Sequence, residues 1–280
     1  GRGILSIEDM LLSHRHPLLY DFAVFCHRQQ RHLAWLRDRR NFAREINLNP
    51  DEKLTHNVKR HSSRLLKQLG DTDMWLQHNK VENLKLCLPY LNGLMIKPGE
   101  TFSFCRLVGK PTAKRGFKTG MELTMGQARP GIGGGICQLA NMLNWLVMHS
   151  PLTVTERSTH SFDPFPDQKR SIPFGTGCAI FYNYVDFCFI NETDHTFQIL
   201  LEIDDKNLKG HLVSKEMIEL NYKVFEKDHY FIREGDTIYR HNEIWRKVLT
   251  RVVGKHLHDE HIKTNHVRVC YEPDESLIRE

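Results

Sequence analysis

Over the first 80 residues the apolar positions recur at helical spacing. Leu33, Leu36, Ala43 and Ile46 sit near that spacing, and Pro50-Asp51-Glu52 has the composition of a helix start. These signals predict a helical N-terminal region, residues 1–80. A further helix is expected over 81–93, stopped at Asn92-Gly93, because glycine suits the left-handed position after a helix C-terminus. The period then changes. Pro98-Gly99 has turn chemistry, and Thr101-Phe102-Ser103-Phe104 alternates as a strand does. Residues 110–135, rich in Gly, Lys and Thr, predict loops around at most one short strand, Met121–Met125. Helical spacing returns over Leu139–Met148, with Leu139, Leu143 and Leu146 on one face and Cys137, Asn141 and Asn144 on another. Beyond it, Leu152–Arg157, the aromatic run Cys178–Ile190, Thr196–Ile203 and Leu208–Val213 read as strands. The last two flank Asp204-Asp205-Lys206-Asn207, a hairpin loop. Residues 214–280 form a β-rich C-terminal extension. Helices first and antiparallel strands later predict the α+β class, with a central domain at 81–213 whose Cys-bearing helix packs on an antiparallel sheet.

Composition narrows this picture. With 280 residues, 40% hydrophobic and 26% charged, the chain is expected to be folded and globular. The net charge of +5 is mild, and neither an aromatic-plus-basic RNA-binding string nor zinc-finger spacing occurs, so nucleic acid is not an expected partner. Arg28 to Arg44 holds six arginines with Trp35 and Phe42 among them. One reading is a basic amphipathic helix making weak contact with an anionic membrane surface. The other, favoured because Asp38 and Glu45 interrupt the charge, is a solvated helix face packed on a core. Seven irregularly spaced cysteines without a C-x-x-C pair suggest a reducing compartment and hence a cytoplasmic location, with the membrane periphery as the alternative. The N-terminal residues carry no signal-peptide pattern, and no run approaches the roughly 20 apolar residues that span a bilayer.

The chemistry concentrates in Arg129-Pro130-Gly131-Ile132-Gly133-Gly134-Gly135-Ile136-Cys137-Gln138. Three consecutive glycines suit a tight turn where backbone passes close to another group. The turn delivers Cys137 to a helix start, where unpaired N–H groups and the positive end of the macrodipole favour thiolate. The same N–H groups are candidates for holding an oxyanion or a carboxylate. His160 is the candidate proton shuttle, since it follows the strand that comes straight after the helix. His149 lies about 18 Å from Cys137, at the far helix end. Asp186, Asp163 and Gln138 are the local options for orienting the imidazole. Against this stands the bland reading that free cysteine is usually a small buried hydrophobe.

At these residues the chain resembles the VanW family, named for an accessory protein encoded with glycopeptide (vancomycin) resistance genes. The resemblance runs from about Asn83 to Val213. It rests on Leu91-Asn92-Gly93, Lys97-Pro98-Gly99-Glu100-Thr101-Phe102-Ser103-Phe104, Gly133-Gly134-Gly135-Ile136-Cys137-Gln138, His160, and Val185-Asp186-Phe187 followed by Asn191-Glu192-Thr193. It implies a link to cell-wall or glycopeptide biology. One departure is visible: where the family often carries an Asp in a G-x-D-A-T-V stretch, this chain has Gly177.

Two functions compete on this reading. In the first, Cys137 attacks an amide carbonyl of a cell-wall-type peptide, His160 moves the proton and Asp186 orients it, making a hydrolase or acyl transferase. In the second, the turn and helix N-terminus bind a peptide or small carboxylate-bearing ligand without chemistry. Gly133, Gly134, Gly135, Gln138, Asn141, Arg129 and Arg157 are the candidate binding residues in either case. No cofactor and no metal are expected: His256, His258, His261 and His266 are dense, but their spacing matches no standard zinc pattern.

Overall fold

The computed structural model describes residues 17–124, 126–167 and 170–279. Helix α1 (Pro17–Arg37) supplies the expected N-terminal helix, but the helical pattern does not continue to residue 80. Pro50–Glu52 makes a single 3-10 turn capped by the Asn49 side chain, and His56–Arg64 is a strand, β1. Val58 is buried and exposed positions alternate with half-buried ones along Lys59–Arg64, and the strand pairs antiparallel with one about 150 residues later. Helix α2 (Met74–Cys87) follows, then β2 (Met95–Ile96), β3 (Thr101–Ser103) and the short α3 (Phe104–Val108). Phe104 leaves the predicted strand because Ser103 caps α3, its hydroxyl accepting from the Arg106 N–H at 3.2 Å.

The stretch predicted as loops holds two strands, β4 (Thr119–Thr124) and β5 (Gln127–Ile132), joined as a hairpin. Helix α4 (Cys137–Met148) leads to β6 (Thr153–Glu156) and β7 (Phe162–Asp163). Of the aromatic run 178–190, only β8 (Cys188–Ile190) is a strand. The rest turns back on itself, with Asn183 in the left-handed region at φ 53° and Phe181 bridged to Val185. Then come β9 (Phe197–Ile203) and β10 (Asn207–Ser214), the predicted hairpin, followed by β11 (Leu220–Glu234), β12 (Thr237–Thr250), β13 (His256–Val269) and β14 (Ile278–Arg279).

The strand orders are β1-β10-β9-β2, β3-β8-β6 and β14-β11-β12-β13-β7, beside the β4–β5 hairpin. The chain is therefore α+β, with α4 laid across β10 and β1. Gly210 in β10 makes that approach feasible: a Cβ there would meet Met142 Sδ at 2.6 Å. The core collects the apolar face of α4 with Phe102, Phe187, Phe189, Phe197, Leu208 and Leu212. Phe102 and Phe189 stack at 4.6 Å across the β3–β8 pair.

Several strings that signalled the family serve this framework. Gly99, at φ 79°, turns the chain between β2 and β3, and its N–H donates to Asn191 O at 2.7 Å. Asn191 is fully buried and its amide donates to the Ile96 and His195 carbonyls. Asn92 Oδ1 accepts from Leu201 N at 2.9 Å. The C-terminal sheet is tied to the rest through Arg246, whose guanidinium donates to Met148 O and Ser150 O, and through β7 beside β13. No helix among the described residues is long and apolar enough to cross a membrane.

Candidate functional site

The glycine turn is built as close packing. Gly133 and Gly135 adopt φ 78° and 92°, which side-chain-bearing residues rarely take. A Cβ on Gly134 would stand 2.3 Å from Gly120 backbone, and one on Gly135 would stand 2.2 Å from the Lys80 stem. Asn83 of α2, fully buried, clamps the turn by donating to Lys118 O and Gly134 O while accepting from Lys118 N. Each of the three glycines thus has a steric reason that requires no ligand.

Cys137 opens α4 and is half-buried. Two influences oppose each other at this helix start. Crowding by protein pushes the thiol above its ordinary value, and the Glu122 charge adds to this, against the opposing help of the Ile180 and Cys137 N–H groups. A helix start lowers a thiol only where solvent or a cation shares the sulfur's surroundings, and here desolvation wins.

His160 is also half-buried. Burial, reinforced by the Lys263 charge, lowers its imidazole to about 4, so the ring is neutral at physiological pH. Among the described residues no hydrogen bond joins it to Cys137; its ring neighbour is Phe162, 6.3 Å between centroids. Asp186 lies in a different cluster. It is buried, and accepts from Ser103 Oγ at 2.6 Å, Cys105 N at 2.9 Å, Phe187 N at 2.8 Å and Cys188 Sγ at 3.3 Å. No hydrogen bond joins it to His160. Asp163, the other carboxylate considered, is ion-paired with Arg240 at 3.0 Å and accepts from Tyr271.

The candidate binding residues divide in the same way. Gln138 turns to β1, donating to Ser63 Oγ and Arg64 O at 3.0 Å each. Arg129 pairs with Glu122 across the hairpin at 3.1 Å. Asn141 accepts from Cys178 N at 2.6 Å, and Asn144, fully buried, donates to Thr176 O at 2.7 Å, so α4 holds the 176–178 segment beside Cys137. A Cβ at Gly177 would meet Asn141 Oδ1 at 3.0 Å, which leaves this position little room for a larger side chain.

Arg157 is unlike these. Among the described residues its guanidinium reaches Asn144 Oδ1 at 3.5 Å and Met148 Sδ at 3.9 Å. Lys263, on β13, donates to Thr159 Oγ1 at 2.6 Å. Among the described residues neither cation forms an ion pair. Burial lowers both, Lys263 to about 8, and the Arg157 charge lowers Lys263 further. Cys178, whose thiol burial pushes up to about 12, lies within electrostatic reach of Arg157, Lys263 and Cys137. Two partly desolvated cations thus lie within electrostatic reach of Cys178, and Lys263 also within reach of His160. Lys263 escaped the sequence reading because it lies about a hundred residues further along, on a strand with no motif around it. Its only signal is a basic residue on the half-buried face of a strand.

A family model described as VanW like protein matches residues 79–213. The Vancomycin B-type resistance protein VanW of Enterococcus faecalis is 35% identical over 205 residues, 73% of this chain and 74% of that protein. The uncharacterized protein YoaR of Bacillus subtilis is 29% identical over 117 residues, 41% of this chain and 36% of that one. No solved structure matches.

Proposed function

The chain belongs to the VanW-like family, and from that premise we propose that it binds a carboxylate-bearing peptide of cell-wall type at Arg157 and Lys263, without needing chemistry at Cys137. The observation that carries this reading is the pair of half-buried cations that form no ion pair among the described residues. Bringing two like charges out of water costs free energy that a fold avoids unless something compensates it. A carboxylate seated between them supplies the compensation, with bidentate hydrogen bonds to the guanidinium and a charge-assisted bond from the ammonium. The name of the Enterococcus faecalis relative states resistance to vancomycin, and the cell-wall type of the peptide is our inference from that.

The catalytic reading, with Cys137 as nucleophile and His160 as proton shuttle, has the Ile180 and Cys137 N–H groups in its favour, since both favour an anionic sulfur. It has against it a thiol pushed up and an imidazole pushed down to about 4, which together leave a neutral pair at pH 7. The test is calorimetric titration of the chain with short peptides ending in a free carboxylate and with their C-terminal amides. Binding of the acid but not the amide, lost in Arg157→Ala and Lys263→Ala and kept in Cys137→Ser, is the expected result. Equal binding of acid and amide, or turnover lost in Cys137→Ser, would overturn it.

A further inference from the structure

The histidines of the C-terminal sheet do not act as one cluster. His256, His258 and His261 each engage Nε2 separately, with Asp259 at 2.8 Å, Glu260 at 3.1 Å and Thr264 at 2.9 Å. His241 and His266 are different. They stand directly opposite each other in the β12–β13 register, and their Nδ1 atoms approach to 3.3 Å. From this geometry we infer that His241 and His266 form a two-imidazole site for a borderline divalent transition-metal ion of the Zn2+ type.

Three observations support this. First, two nitrogens bound to one tetrahedral zinc at about 2.0–2.1 Å are separated by about 3.3–3.4 Å, which is the spacing already present. Metal entry requires the His241 proton to move from Nδ1 to Nε2, which frees both Nδ1 lone pairs without net proton loss, and a small reorientation of the rings. Second, Glu234 Oε1 lies 3.2 Å from His266 Nε2. A carboxylate on Nε2 keeps the proton there and leaves the Nδ1 lone pair directed at the partner ring; the same arrangement orients metal-ligating histidines generally. Third, both ring planes are held by stacking, Tyr230 on His241 at 4.7 Å and Tyr239 on His266 at 4.8 Å. The imidazoles are thus positioned before any ion arrives, which reduces the ordering cost of binding. The pair is on the exposed side of the sheet, so water can complete the coordination. Among the described residues no group of three or more His, Cys, Asp or Glu side chains forms a metal cage, and two protein ligands therefore imply a moderate affinity and an exchangeable ion.

The site shares no residue with the proposed carboxylate site, and its test reads metal directly. Untagged full chain is titrated with Zn2+ by calorimetry, and Co2+ absorption reports the coordination geometry. One Zn2+ per chain is expected. His241→Ala and His266→Ala should each weaken it at least about tenfold, Glu234→Gln by about tenfold through the lost orientation of His266, and His256→Ala not at all. Glu234→Gln keeps both imidazoles on the sheet, so it reports on the inference even if a histidine variant folds poorly. No uptake by the parent chain, or uptake unchanged in the His241, His266 and Glu234 variants, would overturn the inference; the second result would place the ion on other histidines.

Discussion

Two polar clusters flank the core of this protein, and they are balanced in opposite ways. Around Asp186 both carboxylates are matched by donors: the buried Asp186 takes four, and the neighbouring Glu156 is held by Arg31 of α1, one contact at 3.0 Å and a second, shorter one from Nη2. Burial and the Asp186 charge raise the Glu156 carboxyl, and Arg31 opposes this. Around Arg157 and Lys263 the cations have hydroxyl, amide and thioether neighbours but no acid. The first cluster closes its own electrostatics and thereby fixes the turn before β8. The second leaves its two positive charges without an ion pair among the described residues. Asp186 and Arg157, grouped by the sequence in one candidate site, thus have different hydrogen-bond surroundings.

The sharpest way to break this contrast is Asp186→Ala. Removing the carboxylate strands the Ser103 hydroxyl and the Cys105 and Phe187 N–H groups inside the core, and each buried unsatisfied donor costs about 1–3 kcal/mol. A loss of about 3–5 kcal/mol is expected in urea denaturation, with an unchanged m-value. If the variant unfolds at nearly the wild-type midpoint, Asp186 is not a framework residue and its assignment here fails.

The same contrast explains what could be read in advance. Periodicity gave α4 and the β9–β10 hairpin, since both present one apolar face to the core. It misread residues 56–64, where histidines and arginines on both faces hide the strand, and 178–187, where Asn183 turns a strand-like composition back on itself. Cys137, Asn141, Arg157 and His160 are close in sequence and were legible as a group. Lys263 was not, because its place beside Thr159 is set by the docking of the C-terminal sheet through Arg246 and β7, which local pattern does not encode. The Gly-Gly-Gly turn was legible as a close approach. What it approaches is Gly120, Pro111 and Lys80 rather than a ligand.

A smaller effect, opposite in kind, is expected at the open cluster. Arg157→Ala and Lys263→Ala remove a buried cation with no acidic partner, so stability should hold or rise slightly. Affinity for a carboxylate-terminated peptide should fall about tenfold to a hundredfold in each, since a hydrogen bond to a charged group contributes about 1.5–3 kcal/mol. If either variant loses stability as Asp186→Ala does, the cation is structurally satisfied and the contrast disappears.

Proton linkage sharpens it further. The folded state lowers Lys263 to about 8, below its unfolded value, so between these values the unfolded chain holds a proton that the folded chain has released. Stability of the ligand-free protein should therefore rise as pH passes through 8, by at most about 1.4 kcal/mol per pH unit for one proton. Lys80, lowered by burial to about 7, acts in the same direction, so the measurement compares the parent with Lys263→Met between pH 7 and 8.5. Arg157, Cys178, His160 and Thr159 face the ammonium and are common to both chains. Peptide affinity should move the other way, falling as the ammonium loses its charge. Parallel slopes for stability and affinity would contradict the assignment of Lys263 as the anion's partner.

The smallest change is expected at the residue that looked most reactive. Cys137→Ser replaces a half-buried thiol by a hydroxyl of similar shape, with the Ile180 N–H still available to it. Folding should shift by less than about 1 kcal/mol and peptide affinity by no more than about twofold. In the parent, iodoacetamide should modify Cys137 no faster than exposed Cys270 at pH 7.5, because a thiol pushed up by its surroundings is mostly protonated there and the thiolate is the reacting species. Rapid and selective labelling of Cys137, slowed in His160→Ala, would reverse the comparison. The cation pair would then be the binding half of a catalytic site, with Cys137 supplying the chemistry.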